Sequence, residues 1–309
     1  MTAAFCRLIS HSRVAPRPSQ NARGSLCAAK TRGDKDITIK RICRASSNAI
    51  PPPSSKDDFA NKKPIRLREP SQSTTPKTKW IGFDLDDTLH RFTPASQKAA
   101  TKVFEHIINS HPDLTMGRLS DQYKQICKEY VTSFTDGRSS RSYRSERMQQ
   151  LLKRSGISTT SADELVDIYA AGLAESLELE DGASDVLRKI KGEGLNVAVI
   201  TEGPHDAQEW TIKKLGLSKM IDRLITSNKE RISKKNGLFD VFIERTRAQA
   251  SECFVVGDSI DNDILPANKS GIKTIYFDPK NKGPDEVATH RVSHLKDLLK
   301  ILHPPGDAG

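Results

Sequence analysis

Apolar residues recur along the chain with two different periods after residue 78. Short continuous apolar runs predict buried β-strands, and apolar residues three or four positions apart predict helices between them. Because strands and helices alternate, we expect right-handed crossovers and a parallel α/β sheet covered on both faces. The predicted strands cover residues 79–84, 195–201, 223–226, 252–256 and 273–277, with a short extended segment near 289–292. The predicted helices of this part cover residues 183–191, 206–215, 239–250, 261–270 and 295–302.

A long helical stretch interrupts this alternation between the first two strands. From Pro94 to about Leu179 the apolar residues keep a helical spacing, as in the stripe Ala99, Val103 and Ile107. The stretch predicts an insertion of about four helices. We expect residues 93–180 to form an all-helical cap that lies over the sheet as a lid. The core would then consist of residues 78–92 and 181–303.

The positive charge of the chain is concentrated in residues 1–77. This segment holds 16 Lys and Arg against 5 Asp and Glu, which leaves 33 against 34 for the remainder. No acidic residue precedes Asp34, and Phe5, Leu8 and Ile9 have helical spacing near arginines, which is typical of a cleavable transit peptide. The Pro, Ser and Lys-rich part after residue 45 is expected to be disordered. We predict a disordered basic extension that carries a mitochondrial transit peptide. The alternatives are a cytoplasmic protein with a plain basic tail, or a tail that contacts nucleic acid or anionic lipid.

Two classes of protein are disfavoured by the sequence. No apolar run approaches the length of a membrane span, so no transmembrane segment is expected. The five cysteines show no paired spacing, which argues against a disulfide framework and against a zinc site. Since the part after residue 77 is nearly neutral, we expect no specific nucleic-acid partner. The oligomeric state is left open.

The first predicted strand ends in paired carboxylates. Asp84 and Asp86 are two residues apart, so on an extended chain their side chains share one face. Two neighbouring carboxylates repel each other unless a cation lies between them. The structural alternative is a capped strand-to-helix turn, because Asp and Thr are common residues at helix starts. The ends of two later strands favour the first interpretation.

Polar groups also follow the strands at 195–201 and 252–256. Thr201, Glu202 and Gly203 end the former, and the latter ends in Gly257 and Asp258. In open parallel sheets the ligand crevice lies at the carboxyl ends of the strands, so one crevice would collect all of these groups.

Phosphoryl transfer would use each of these side chains. Asp84 is the candidate nucleophile, and Asp86 would protonate the leaving alcohol and then deprotonate the attacking water. Asp258, together with Asp84 and the backbone carbonyl of Asp86, would hold Mg²⁺. Asp263 would orient a water on the metal, while Thr201 and backbone N–H groups near it would bind phosphate oxygens. The predicted metal-binding residues are therefore Asp84, Asp86, Asp258 and Asp263.

A lysine is needed to stabilise the phosphate oxygens, and the segment before residue 239 offers two. We prefer Lys234 as the catalytic lysine, because the helical segment starts with it, and we assign Lys235 to substrate binding. The alternative is that both lysines are solvated surface charges.

The order of these motifs resembles the haloacid dehalogenase superfamily over about residues 79–302. The residues that carry the resemblance are Asp84, Asp86, Thr88, Thr201, Lys234 or Lys235, Gly257, Asp258 and Asp263. This resemblance implies a Rossmann-like core, a helical cap inserted after the first strand, and Mg²⁺-dependent phosphatase activity through a phospho-aspartate. Within the superfamily Asp86 favours phosphatases over dehalogenases, since a halide leaves without a proton and an alkoxide does not.

Three features near the motifs leave alternatives open. Glu202 stands where many members of that superfamily have Asn, and we expect it to turn toward the cap, a lysine or the waters of the metal. Arg141 lies in an Arg-rich cap segment and is a candidate for a second anionic group of the substrate, with a solvated helix charge as the alternative. His90 and Arg91 are expected to line the entrance, unless His90 is structural.

These observations predict a Mg²⁺-dependent phosphohydrolase for a small phosphorylated metabolite, such as a nucleoside monophosphate or a sugar phosphate. The predicted substrate contacts are Thr201, Glu202, Gly203, Lys235 and Arg141. A phosphomutase or a 2-haloacid dehalogenase of the same superfamily is the nearest alternative. A non-catalytic protein of this fold that binds its partner through the basic tail is the alternative from another class.

Overall fold

The computed structural model of the chain describes residues 79–130, 134–284 and 286–302. The predicted basic extension and its transit peptide, residues 1–77, lie outside the described residues, and the mitochondrial address stays a prediction. Among the helices of the described part, none is both long enough and apolar enough to cross a membrane.

A parallel sheet of six strands forms the centre of the described part, which confirms the predicted α/β class. The strands are β1 Trp80–Phe83, β2 Asn196–Thr201, β3 Arg223–Thr226, β4 Cys253–Gly257, β5 Lys273–Phe277 and β6 His290–Val292. Their order across the sheet is β3-β2-β1-β4-β5-β6. Because β1 lies between β2 and β4, the polar residues that follow these three strands emerge side by side.

Helices on both faces cover this sheet. Ile81 and Phe83 of β1 pack on one face, and Ile200 and Val255 pack on the other against Phe242. The helices of the core are α5 Ala183–Gly192, α6 His205–Lys214, α7 Ser227–Glu230, α8 Leu238–Thr246, α9 Leu265–Lys269 and α10 Leu298–Leu302. The alternation of burial along each strand produces this two-faced core, since successive side chains point to opposite faces.

Two predicted helices differ from the structure at their ends. The helix predicted to reach residue 250 stops at Thr246, because Arg247 takes a left-handed conformation with φ 54°. The helix predicted over 261–270 is divided into a π-helical turn, Ile260–Ile264, and the short α9. Pro266 lacks the backbone N–H that would continue the hydrogen-bond ladder, which explains the break.

Four helices connect β1 to β2, and they form a hydrophobic cluster of their own. They are α1 Phe92–Ser110, α2 Met116–Glu129, α3 Ser140–Ser155 and α4 Ala162–Ser176. Helix α1 begins one residue before the predicted start of the cap at residue 93. The two linkers that join these helices to the sheet pair with each other, since Arg91 N–H donates to Glu178 O at 3.0 Å and Glu180 N–H donates to Leu89 O at 3.0 Å.

The inserted helices also contact the core beyond their linkers. The backbone N–H and the hydroxyl of Ser140, at the start of α3, donate to the carboxylate of Asp206 at distances of 2.8 to 3.1 Å. Asn228 of α7 donates its amide hydrogens to the carbonyl oxygens of Phe134 and Arg138 at 3.2 and 3.1 Å. The segment before α3 is therefore held against the carboxyl-terminal edge of β2 and β3.

Candidate active site

Three carboxylates meet at the carboxyl ends of β1 and β4. The strands run parallel with Phe83 beside Val256, so Asp84 and Asp258 leave the sheet next to each other. The backbone N–H of Asp84 donates to Val256 O at 2.9 Å and extends this pairing into the site. One oxygen each of Asp84, Asp258 and Asp263 lies within 4.8 Å of the others. The structure thus brings together three of the four predicted metal residues by their side chains.

A glycine allows Asp263 to reach this cluster. A Cβ atom at Gly257 would lie 2.5 Å from the Cβ of Asp263, which is closer than any two such atoms can approach. Asp263 is fully buried, and its Oδ2 accepts the backbone N–H of Ser259 at 2.9 Å. The third carboxylate therefore depends on the missing side chain at the end of β4.

The structure places the two candidate lysines differently. Lys234 opens a short 3₁₀ turn, is 3% exposed, and donates from Nζ to Asp84 Oδ1 and Asp263 Oδ1 at 2.6 Å each. Lys235 is exposed. Burial alone would lower the pKa of Lys234, but the two carboxylates raise it, so this lysine keeps its charge.

The surroundings of the Asp84 carboxyl raise its pKa. Burial raises its pKa from 3.8 to about 6, with a further contribution from the nearby Asp263, although the Lys234 ammonium opposes the shift. One lysine therefore does not balance the negative charge of the three carboxylates. Clustered carboxylate oxygens are the ligands that Mg²⁺ prefers. The residues present fit a divalent cation held by Asp84, Asp258 and Asp263.

Asp86 turns away from this cluster toward a buried imidazole. Its Oδ1 lies 2.9 Å from Nε2 of His90, and its Oδ2 lies 3.5 Å from Nε2 of Gln208. His90 is fully buried, so the expectation that it lines the entrance is wrong, and the structural alternative describes its position. The predicted use of the Asp86 carbonyl as a metal ligand stays a prediction.

A left-handed residue makes the turn after Asp86 possible. Asp87 has φ 60°, a conformation that costs a non-glycine residue energy. Its carboxylate accepts the backbone N–H and the hydroxyl of Thr93 at 2.8 and 2.6 Å, and these bonds offset the strain. The turn ties the end of β1 to the first turn of α1.

Thr201, at the end of β2, offers a hydroxyl to the cleft. Its side chain is 1% exposed, and its Oγ1 has no hydrogen-bond partner among the described residues. A buried hydroxyl without a partner costs about 1–3 kcal/mol, so such a group is a candidate for ligand binding. The N–H of the predicted phosphate contact Gly203 donates to Ser227 Oγ at 3.3 Å, within the core.

Glu202 points toward the lysine turn, one of the three expected directions. Its Oε1 accepts the backbone N–H of Lys234 at 3.0 Å. The carboxylate therefore fixes the start of the 3₁₀ turn that delivers the Lys234 side chain to Asp84. This contact gives Glu202 a role in placing the lysine, in contrast to the direct substrate contact predicted from the sequence, which stays a prediction.

Arg141 is occupied within the inserted helices. Its guanidinium donates to Asp167 at 2.6 Å and to Asp163 at 3.3 Å, both on α4, and its side chain is 53% exposed. These contacts favour the alternative of a solvated helix charge over a contact with substrate.

Two residues of the site carry no clear signal in the sequence. Gln208 on α6 is buried, reaches both Asp86 and the carbonyl oxygen of Glu202, and reads as an ordinary helix position. Ser259 orients Asp263 through its backbone N–H, a contact that leaves no trace in residue type.

The chain is similar to known hydrolases over most of its described residues. The sequence profile of the haloacid dehalogenase-like hydrolases matches residues 81–277. The chain is 27% identical to a ribulose-1,5-bisphosphate 5-phosphatase of Halopiger xanaduensis, with 71% of this chain and 95% of that protein covered. It is 26% identical to the pyrimidine 5'-nucleotidase YjjG of Escherichia coli, with 73% and 98% covered. The magnesium-bound crystal structure of HAD-hydrolase YfnB from Bacillus subtilis aligns with a TM-score of 0.59 at 24% identity, covering 73% of this chain and 99% of that chain.

Proposed function

The chain belongs to the haloacid dehalogenase-like hydrolase family, and we propose that it is a Mg²⁺-dependent phosphatase that forms an aspartyl phosphate on Asp84. Phosphatases of small phosphorylated metabolites are among its relatives, including one named for ribulose bisphosphate and one for pyrimidine nucleotides. The observation that carries the proposal is the cluster of Asp84, Asp258 and Asp263, in which Lys234 binds the two buried members, Asp84 and Asp263.

In the first step an oxygen of Asp84 attacks phosphorus, and the bond from phosphorus to the substrate oxygen breaks. Asp86 gives its proton to that oxygen, so the alcohol leaves neutral. In the second step a water attacks the phosphorus of the acyl phosphate, Asp86 takes the proton of this water, and inorganic phosphate leaves. Both Asp84 and Asp86 return to their starting states. Water is the only other reactant, and no oxidant is required.

The remaining residues stabilise negative charge on the phosphoryl group. Lys234 supplies a fixed ammonium that needs no rearrangement, because two carboxylates already hold it in place. The unpaired hydroxyl of Thr201 donates to a phosphate oxygen. Mg²⁺, held by Asp84, Asp258 and Asp263, would neutralise charge on the phosphate and orient it.

Two alternative activities of the same family differ in what they ask of Asp86. A dehalogenase has no need of a proton donor for its leaving halide, so the presence of Asp86 favours phosphate esters. A phosphomutase would use the same groups but pass the phosphoryl group to a second hydroxyl of a sugar. Nucleoside monophosphates and sugar phosphates are the substrates we propose.

Release of inorganic phosphate from a panel of small phosphate esters tests the proposal. The full chain is assayed with Mg²⁺ and with EDTA, next to Asp84→Asn. We expect turnover of at least one nucleoside monophosphate or sugar phosphate that disappears with EDTA and in the variant. Turnover in Asp84→Asn equal to that of the unaltered protein would exclude the proposed nucleophile. Conversion to an isomeric phosphate without phosphate release would identify a mutase.

A further inference from the structure

A buried imidazole sets the direction of the Asp86 carboxylate. Nε2 of His90 lies 2.9 Å from Asp86 Oδ1, and the side chain of His90 is completely shielded from solvent, whereas that of Asp86 is 13% exposed. The other carboxylate oxygen, Oδ2, lies 3.5 Å from Nε2 of Gln208. The short contact with the histidine thus fixes the position of one carboxylate oxygen, and with it the orientation of the whole group.

His90 is held rigidly because it lies where the two linkers of the inserted helices meet the sheet. Its carbonyl oxygen accepts the N–H groups of Asp87 and Phe92 at 2.8 and 3.0 Å, and its backbone forms a bridge to Leu179 in the second linker. Its ring packs edge-to-face on Phe92 with 5.9 Å between the ring centres. The direction of the imidazole is therefore fixed by backbone pairing and by packing.

The surroundings of the ring indicate which nitrogen carries the proton. Nδ1 of His90 is buried and has no hydrogen-bond partner among the described residues. A buried N–H without an acceptor is costly, so a proton on Nε2, which faces Asp86, is favoured over a proton on Nδ1. A donor at this point restrains the orientation of the Asp86 carboxylate.

We propose that His90 is a positioning residue that holds Asp86 in the direction required to protonate the leaving oxygen of a phosphate ester. This inference rests on the phosphatase function proposed above and adds a residue to it. His90 does not contact the substrate in this account and acts only through Asp86.

A positioning role of His90 and a merely structural role predict different effects on alkyl and aryl phosphates. Proton donation matters most when the leaving oxygen is strongly basic, as in an alkyl phosphate, and matters little for p-nitrophenyl phosphate, whose leaving phenolate is weakly basic. Loss of the His90 contact should therefore reduce turnover of alkyl phosphates more than turnover of the aryl ester. A general folding defect would reduce both to the same extent.

The experiment compares kcat/KM of full-length His90→Leu and His90→Gln on p-nitrophenyl phosphate and on glycerol phosphate or the best alkyl phosphate of the panel. This ratio reports the phosphoryl-transfer step, whereas kcat can be limited by the hydrolysis step that both substrates share. Leu keeps the volume without a donor, and Gln can place a donor near the position of Nε2. We expect the ratio of alkyl to aryl turnover to fall about tenfold or more in His90→Leu and to recover in His90→Gln. A positioned general acid contributes about 10²–10⁴-fold, and the loss of its positioning residue should remove part of that contribution. Phe104→Leu is the control for a general loss of packing, since Phe104 is buried in the hydrophobic cluster of the inserted helices with its ring against Tyr123, and its ratio should not change.

Equal losses on both substrates in His90→Leu would overturn the positioning role while leaving the phosphatase function intact. An unaltered protein that hydrolyses none of the esters would overturn both. If His90→Leu does not fold, His90→Asn replaces it, because the shorter amide cannot reach Asp86. A substrate ratio in His90→Asn equal to that in His90→Gln would then contradict the proposal.

Discussion

The buried carboxyl of Asp84 makes the metal-free protein less stable at neutral pH. Its pKa in the folded chain is about 6 against an ordinary value of 3.8, because burial and neighbouring carboxylates outweigh the attraction of Lys234. A difference of about two pKa units corresponds to about 3 kcal/mol. The folded state binds more protons than the unfolded chain between pH 4 and 6, so the penalty is absent below pH 3.8 and complete above pH 6.

Asp84→Asn removes this penalty because the amide does not ionise. In EDTA at pH 7.5 we expect the variant to unfold at a higher temperature than the unaltered protein, by up to about 3 kcal/mol in free energy, a value that already includes the attraction of Lys234. Each kcal/mol corresponds to about 2–4 °C in a domain of this size. The difference in unfolding temperature between the variant and the unaltered protein should become smaller toward pH 4, where the Asp84 carboxyl is protonated. Turnover of the variant should be lost.

Thermal unfolding of both proteins at pH 4.5, 6.0 and 7.5 in EDTA provides the test. Mg²⁺ should then raise the unfolding temperature of the unaltered protein, and more at pH 7.5 than at pH 5.0, because the ion competes with a proton for Asp84. It should stabilise the variant much less. If Asp84→Asn is less stable than the unaltered protein at pH 7.5, repulsion at Asp84 does not destabilise the metal-free site. A difference in unfolding temperature that does not change with pH would lead to the same conclusion.

Three further substitutions test individual contacts of the site. Lys234→Met should abolish turnover and lower the free energy of unfolding by about 3–5 kcal/mol, because buried carboxylates lose their partner. Lys235→Met, on the exposed neighbour, should change the free energy of unfolding by no more than about 0.5 kcal/mol. Urea unfolding that gives the same loss for both variants would contradict this prediction. Thr201→Val should leave the stability of the protein unchanged or slightly higher, because the lost hydroxyl has no partner among the described residues. It should reduce kcat/KM by about 10²-fold, because a hydrogen-bond donor to the phosphate is lost. A variant that is destabilised but fully active would contradict this role of the hydroxyl. Gly257→Ala should displace Asp263 and weaken Mg²⁺ binding measured by calorimetry, and an unchanged affinity would argue against the crowding seen at this glycine.

Much of the fold could be predicted from the sequence because its strands are short apolar runs that end in polar groups. The strands at 223–226 and 273–277 have the predicted bounds, and the six-stranded sheet is parallel throughout. The ends of two helices were less predictable. Arg247 closes α8 in a left-handed conformation that residue type does not indicate. Pro266 marks a break in the helix predicted over 261–270, but the sequence does not show that the residues before it form a π-helical turn.

The candidate site was predictable where chemistry alone singles out a residue. Carboxylates at strand ends are unusual enough to be recognised, as with Asp84 and Asp258. The sequence gives Lys234 and Lys235 nearly the same local context, and only the 3₁₀ turn buries one of them. His90 offered no comparable signal, since its contact with Asp86 depends on a turn formed by a left-handed Asp87.

The most direct test of the account is detection of a phosphoryl group on Asp84. Asp86→Asn can still form the acyl phosphate from p-nitrophenyl phosphate, whose leaving group needs little protonation, but it lacks the base for hydrolysis. Intact-mass and peptide mass spectrometry of this variant after acid quench should show the mass of one added phosphoryl group, located on Asp84. A variant that releases p-nitrophenolate without any adduct, or an adduct on another residue, would contradict nucleophilic catalysis by Asp84.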